Sequence, residues 1–152
     1  RVAGGALLGQ LLPPFVALIC YEGLFPEITR KANLTDRAQW IVLVSNDAWF
    51  GTTIRPSQHL ASARMRAIEE GLPLVRAANT GISAVVDAYG KTLAMLDIET
   101  SGVIDMRLPR PLPPTLYARL GDWSLLLLIL GSWGVFAFWG WRKKTFLKGQ
   151  RP

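Results

Sequence analysis

Short, unbroken apolar runs alternate along this chain with longer stretches in which apolar and polar positions mix. Residues 15–19 (FVALI) and 40–45 (WIVLVS) are apolar almost throughout, the pattern of strands covered on both faces. Between them, residues 26–38 read as a helix with Pro26 near its first turn. Ser57 is suited to cap a helix over 58–70, which Gly71 and Pro73 then end. On that helix Leu60, Ala61, Met65 and Ile68 supply much of one apolar face. Residues 74–77 and 83–88 are strand-like, Tyr89-Gly90-Lys91 offers a turn, and 92–98 returns as a hairpin. A last strand is expected near 103–106. Strands alternating with helices predict an α/β sandwich layered with helices.

The pattern changes after residue 108. Pro109-Arg110-Pro111-Leu112-Pro113-Pro114 favours an extended, semi-rigid connector. Residues 123–141 then carry no charge, and about 19 residues suffice to cross a hydrocarbon core as a helix. Trp123 marks one end and Trp139 and Trp141 the other, as aromatics do at the two interfaces of a bilayer. Arg142-Lys143-Lys144 follows directly, so the positive-inside tendency puts the C-terminus in the cytoplasm. The expected organisation is a globular part over 1–108, a linker over 109–122, a transmembrane helix over 123–141 and a basic tail over 142–152.

Charge excludes one class of function. The net charge of the 152 residues is +6, but five cations (Arg142, Lys143, Lys144, Lys148, Arg151) follow the apolar stretch. Taking these five from the 17 basic residues leaves 12 against 11 acidic ones. The body is near neutral and has no basic stripe interleaved with aromatics, so nucleic acid is not an expected partner. A single cysteine rules out an internal disulfide framework. The chain starts at Arg1 and enters a charge-free run, residues 2–21, broken by Gly4, Gly5, Gly9, Pro13 and Pro14. That run reads as a loop and a buried strand in a chain beginning in mid-domain, and so as a fragment.

Candidate chemistry gathers where strands end. Cys20 closes the first apolar run, where a strand holds the side chain and the following turn exposes the thiol and its neighbouring N–H. A buried, inert thiol is the alternative reading. Ser45-Asn46-Asp47-Ala48-Trp49-Phe50-Gly51 follows the second run, small polar residues and then two aromatics that can line an apolar pocket. Read alone, Asn46-Asp47 also suits a turn and Trp49-Phe50 a core. Arg64 and Arg66 suit ion pairs, and Asn79-Thr80-Gly81 a turn.

Taken in order, Ile19-Cys20-Tyr21-Glu22, the 45–51 segment, His59 through Ala67 and Ala78-Asn79-Thr80-Gly81 closely resemble the carbon–nitrogen hydrolase (nitrilase) superfamily. Within it they resemble the apolipoprotein N-acyltransferase branch of bacterial inner membranes. The resemblance implies the C-terminal part of a nitrilase-like α-β-β-α sandwich facing the periplasm, followed by one transmembrane helix. It implies Cys20 as nucleophile of a Glu-Lys-Cys triad, taking an acyl group from a phospholipid and passing it to the amine of an apolipoprotein. Tyr21 would offer its backbone N–H to the oxyanion, with Glu22 in support, and Asn46, Trp49 and Phe50 would serve substrate binding. No metal or cofactor is implied. Residues 1–19 hold neither Glu nor Lys, so the family's base and lysine, which precede the cysteine, are not supplied here and the fragment alone is expected to be inactive. A membrane-tethered amidase and a non-catalytic anchored remnant remain as alternatives.

Overall fold

Three of the apolar runs become the parallel half of one sheet. The structure is a computed structural model that describes residues 12–34, 37–51 and 53–148. The chain divides into two compact units, Arg1–Arg119 and Leu120–Pro152. In the first, β1 (Phe15–Ile19), β2 (Trp40–Asn46), β3 (Leu74–Asn79), β4 (Ser83–Val86) and β5 (Thr92–Leu96) lie side by side in sequence order. β1, β2 and β3 are parallel, β3–β4–β5 antiparallel. Helices α1 (Pro26–Leu34) and α2 (Arg55–Glu70) supply the crossovers that parallel pairing requires.

Alternation along each strand sends Val16, Leu18, Ile41, Leu43, Leu74 and Val86 into one core with Leu60, Ala63 and Ala67 of α2. Burying such side chains supplies about 1.5–3 kcal/mol each before chain entropy is counted. The described residues thus build one sheet layer and one helix layer. On the opposite face Ala17, Ile19 and Val44 are less covered. There an apolar cavity of about 220 Å³ lies between Trp40, Val75 and Val85 of the sheet and Ile104, Met106 and Leu108.

Four expectations need correction. Of the apolar face expected on α2 only Leu60 is buried; Ala61, Met65 and Ile68 are exposed, and Ala63 and Ala67 face the core with Leu60. Residues 103–106 form no strand; Ile104 and Met106 border the cavity over the sheet face instead of extending its edge, where Val103 is 89% exposed. α1 ends at Leu34, not at residue 38. α2 begins at Arg55 rather than after Ser57, with Ile54 at the N-cap and no side-chain cap. Pro56 sits in its first turn, where a missing N–H costs nothing, and the far end closes as expected on left-handed Gly71, whose N–H reaches Ala67 O and Ile68 O.

The second unit is dominated by α4 (Trp123–Lys148), preceded in the chain by the short helix α3 (Leu116–Leu120). At 26 residues α4 is about 39 Å long. Leu125 to Leu130, Trp133, Val135, Phe136, Phe138 and Trp139 are all exposed. Among the described residues no helix is long and apolar enough to cross a membrane; the uncharged run continues through Gly140 and Trp141, whose side chains lie outside the described set.

Candidate active site

Parallel register decides what can meet. Ile19 pairs with Val44, and Asn46 with Asn79, so the C-terminal ends of β1, β2 and β3 and the segments after them share one edge of the sheet. In open α/β sheets this is the edge at which ligands bind.

Cys20 begins the 3₁₀ turn Cys20–Leu24 directly after β1. Its φ is +51°, a left-handed conformation that costs an L-residue roughly 1–2 kcal/mol. Strain of this kind persists where the surroundings enforce it, and here Glu22 takes part: its carboxylate accepts the Ile19 N–H at 2.7 Å. Glu22 therefore closes the turn back onto the residue before the thiol. Cys20 is half-buried and unpaired with another cysteine.

The segment after β2 divides its labour. Asn46 Oδ1 accepts the Ala48 N–H at 3.1 Å and lies 3.5 Å from Asn79 Nδ2, tying two strand ends together. Trp49 is 86% exposed. Phe50 turns inward, edge-on to Tyr21 (centroids 6.3 Å apart) and to His59 (5.8 Å), while Tyr21 stacks on His59 at 6.1 Å. Tyr21, Phe50 and Leu24 on one side and Arg55, Gln58 and His59 of α2 on the other line an open cavity of about 310 Å³. Of the residues marked out in the sequence, Tyr21 and Phe50 meet at this cavity, Cys20 and Glu22 belong to the turn beside it without lining it, Asn46 ties two strand ends together, and Trp49 stands out in solvent.

Beneath the aromatic trio lies a cluster that local reading missed. Arg76 Nη2 donates to Asp47 Oδ2 at 2.5 Å, with both side chains fully buried. Asp47 Oδ1 accepts Ser45 Oγ–H at 2.6 Å and faces His59 Nδ1 at 3.0 Å. Arg76 Nε donates to Ile82 O, and its Nη2 lies 3.2 Å from His59 Nδ1. A carboxylate only accepts, so we place the Nδ1 hydrogen toward Asp47. Burial pulls the Arg76 guanidinium below its ordinary value, against which the Asp47 charge, the hydrogen bond to Asp47 and then Cys20 act. A guanidinium keeps its proton in proteins, so Arg76 balances Asp47 and sets a fixed positive charge near the thiol. Gly81 is required here, because a Cβ would overlap the Asp47 carboxylate. One signal was available in the sequence: Arg76 interrupts the apolar run of β3 at an inward position. Asn46-Asp47 also suits a turn in the sequence, and His59 stands there only at the head of the 59–67 segment that carries the resemblance.

Arg66 pairs with Glu69 at 2.6 Å and also donates to Leu24 O, while Arg64 Nε donates to Gly90 O. Arg66 therefore holds the 3₁₀ turn after Cys20, and Arg64 the β4–β5 hairpin.

The carbon–nitrogen hydrolase model matches residues 5–112. The chain belongs to the carbon–nitrogen hydrolase family. Among curated relatives, it is 48% identical over 137 residues to the apolipoprotein N-acyltransferase of Bradyrhizobium diazoefficiens, and 50% identical over 137 residues to that of Rhodopseudomonas palustris. Each match covers 85% of this chain and 25% of the relative; the chain spans about a quarter of the length of these relatives. The crystal structure of a carbon–nitrogen hydrolase from Helicobacter pylori aligns with a TM-score of 0.51 at 20% identity, over 59% of this chain and 38% of that one. It shares the fold.

Proposed function

We propose that this chain is the cysteine-bearing part of a membrane N-acyltransferase that completes lipoprotein maturation. The observation that carries the reading is the strained elbow: a thiol held in the left-handed region at the C-terminal end of a parallel strand, in the turn whose Tyr21 walls an aromatic-lined cavity, in a chain about half identical to apolipoprotein N-acyltransferases. Cys20 Sγ attacks an ester carbonyl of a phospholipid, the C–O bond breaks, and the lysophospholipid leaves with a proton. The amine of a diacylglyceryl-cysteine apolipoprotein then attacks the thioester; a C–N bond forms, the C–S bond breaks, and the thiol is regenerated.

Tyr21 N–H serves the oxyanion of both tetrahedral intermediates, and Glu22 holds the elbow that presents it. Trp49 and Phe50 meet acyl chains, and Asn46 buttresses their loop. A Glu base and a Lys are supplied by sequence other than residues 1–19 of this chain. In the same reading α4 anchors the enzyme in a bacterial inner membrane, with the 109–122 linker keeping the catalytic unit close to the bilayer on its periplasmic side and Arg142-Lys143-Lys144 cytoplasmic.

The test uses the full-length protein in membranes with phospholipid and a diacylglyceryl-cysteine lipopeptide. Mass spectrometry of the products should show the N-acylated peptide with the native protein and neither thioester nor product with Cys20→Ala. Release of free fatty acid without N-acylated peptide would instead make the enzyme a hydrolase that passes the thioester to water, and cleavage of an added fatty amide under the same conditions would make it a tethered amidase. Undiminished lipoprotein maturation in cells carrying only Cys20→Ala would reduce the chain to a scaffold.

A further inference from the structure

We infer that the proline-rich segment before α4 is a latch that positions the nucleophile. Residues 112–119 close the C-terminal end of α2, and Thr115 and Arg66 relay that closure to the turn carrying Cys20. The inference rests on the acyltransferase reading and adds to its site two positioning residues that do not touch substrate.

The latch starts from what a helix end lacks. The last four carbonyls of a helix have no partner within it. In α2 the left-handed cap serves the first two of them: the Gly71 N–H reaches Ala67 O and Ile68 O, and the Leu72 N–H reaches Ala67 O. The next three carbonyls along the chain are met from outside. Thr115 Oγ1–H donates to Glu69 O, and the Leu112 N–H donates to Gly71 O at 2.8 Å. Arg37 Nη2 reaches Glu70 O at 3.4 Å and donates to Leu112 O at 2.7 Å, a cation where the helix dipole favours one. The contact is close, since a Cβ on Gly71 would stand 3.1 Å from Pro113 O and 3.2 Å from Thr115 Cγ2. Further along, Arg30 of α1 donates to Ala118 O and Arg119 O at 3.3 and 3.2 Å. The segment expected to be an extended connector is thus bonded to the first unit as far as Arg119.

From that helix end a second set of bonds leads to the thiol. Glu69, whose carbonyl takes the Thr115 hydroxyl, accepts Arg66 Nη2 on its carboxylate at 2.6 Å. Arg66 is 6% exposed, and its Nη1 donates to Leu24 O at 2.8 Å. Leu24 ends the 3₁₀ turn that Cys20 begins in the left-handed region. A conformation of that kind persists only where its surroundings enforce it. Glu22 ties the turn to Ile19 at its start, and Arg66 ties it to α2 at its end. The guanidinium fork of Arg66 is oriented by Glu69, which sits in the last turn of α2, the part that frays first when its carbonyls lose their partners. The bonds made by 112–119 therefore act on the turn of the nucleophile without touching it.

The experiment follows amide hydrogen exchange and thioester formation on Cys20, both by mass spectrometry, in the full-length enzyme in neutral detergent with phosphatidylglycerol as donor. Thr115→Val removes one hydroxyl at little change in volume. It should speed exchange at residues 112–119 and 69–72 and also at 20–25. It should lower kcat about fivefold, the worth of one hydrogen bond, with KM within about twofold. Arg66→Gln breaks the path next to the turn, so exchange should rise at 20–25 but not at 112–119, and kcat should fall by at least the same factor. Bonds in series are not additive, so Thr115→Val/Arg66→Gln should be no slower than Arg66→Gln alone. Arg64→Gln, on the same helix but bonded to Gly90 O, should leave kcat and exchange at 20–25 as in the native protein. Thr115 is half-buried, so its variant tests the latch even where Arg66→Gln fails to fold. Exchange at 20–25 unmoved by Thr115→Val, losses that multiply in the double variant, or an equal fall with Arg64→Gln would each overturn the latch and leave acyl transfer intact. Absence of a thioester on native enzyme would refute the acyltransferase reading, while the exchange comparison, which needs no substrate, would still decide whether 112–119 controls the turn.

Discussion

Replacing Arg76 by Met removes the cation from a fully buried pair and leaves the Asp47 carboxylate, 1% exposed, without a countercharge. Ser45 Oγ–H and His59 Nδ1–H still point at it, but two hydrogen bonds do not replace the solvation a buried anion has lost. Breaking such a pair from one side costs about 3–5 kcal/mol. The double variant Asp47→Asn/Arg76→Met leaves no charge behind, and the introduced amide can keep the Ser45 and His59 bonds through its carbonyl oxygen; it should recover about 2 kcal/mol or more of that loss. At roughly 2–4 °C of melting temperature per kcal/mol for a domain of 150–250 residues, the single variant should melt at least about 6 °C lower than the native protein, with the double variant in between. The assay is thermal melting of the purified full-length protein followed by intrinsic tryptophan fluorescence, completed as a cycle with Asp47→Asn alone. If the two single losses add in the double variant to within about 0.5 kcal/mol, the residues are uncoupled and the account of the cluster is wrong.

Other outcomes follow from single features. Cys20→Gly should melt higher than Cys20→Ala by about 1–2 kcal/mol, since glycine adopts φ of +51° without the Cβ penalty; equal melting would mean the elbow stores no strain. Gly81→Ala pushes a methyl group into the Asp47 carboxylate and should cost about 1–3 kcal/mol in the same melts. Trp49→Ala, at a residue 86% exposed, should leave stability within about 0.5 kcal/mol while acyl transfer to the lipopeptide falls, a separation visible by running both assays on one preparation. Glu22→Ala removes the acceptor of the Ile19 N–H and should lower stability by about 1 kcal/mol together with the rate of thioester formation.

Much of the architecture was legible because the signals that carry it are local. An unbroken apolar run of five to seven residues reads as a strand whatever lies around it, and β1 and β2 fall where such runs fall. The α2 stop at Gly71 is equally local, a left-handed position followed by Leu72-Pro73. The start of α2 misled because Ser57 has good capping chemistry, whereas the chain uses Pro56 in the first turn. Ile104 and Met106 misled for a different reason. Their apolar alternation suits a strand, but it also suits a segment laid over a sheet face, and only the sheet decides between them.

The site divides in the same way. From residue order it already followed that a lone thiol ends an apolar strand, that Asn46, Trp49 and Phe50 follow the next one, and that the body of the chain carries almost no net charge. It took the folded sheet to bring His59 and Arg76, 12 and 29 positions from Asp47 along the chain, into one buried cluster with it under Cys20. Folding also turned Glu22 into a brace for backbone and left His59 a nitrogen free beside a cavity. The physical reason is register: a hydrophobic period reports which face a residue takes, while the pairing of β1, β2 and β3 reports which faces meet. A charge is tolerated in the core only where that pairing brings its partner within hydrogen-bond reach.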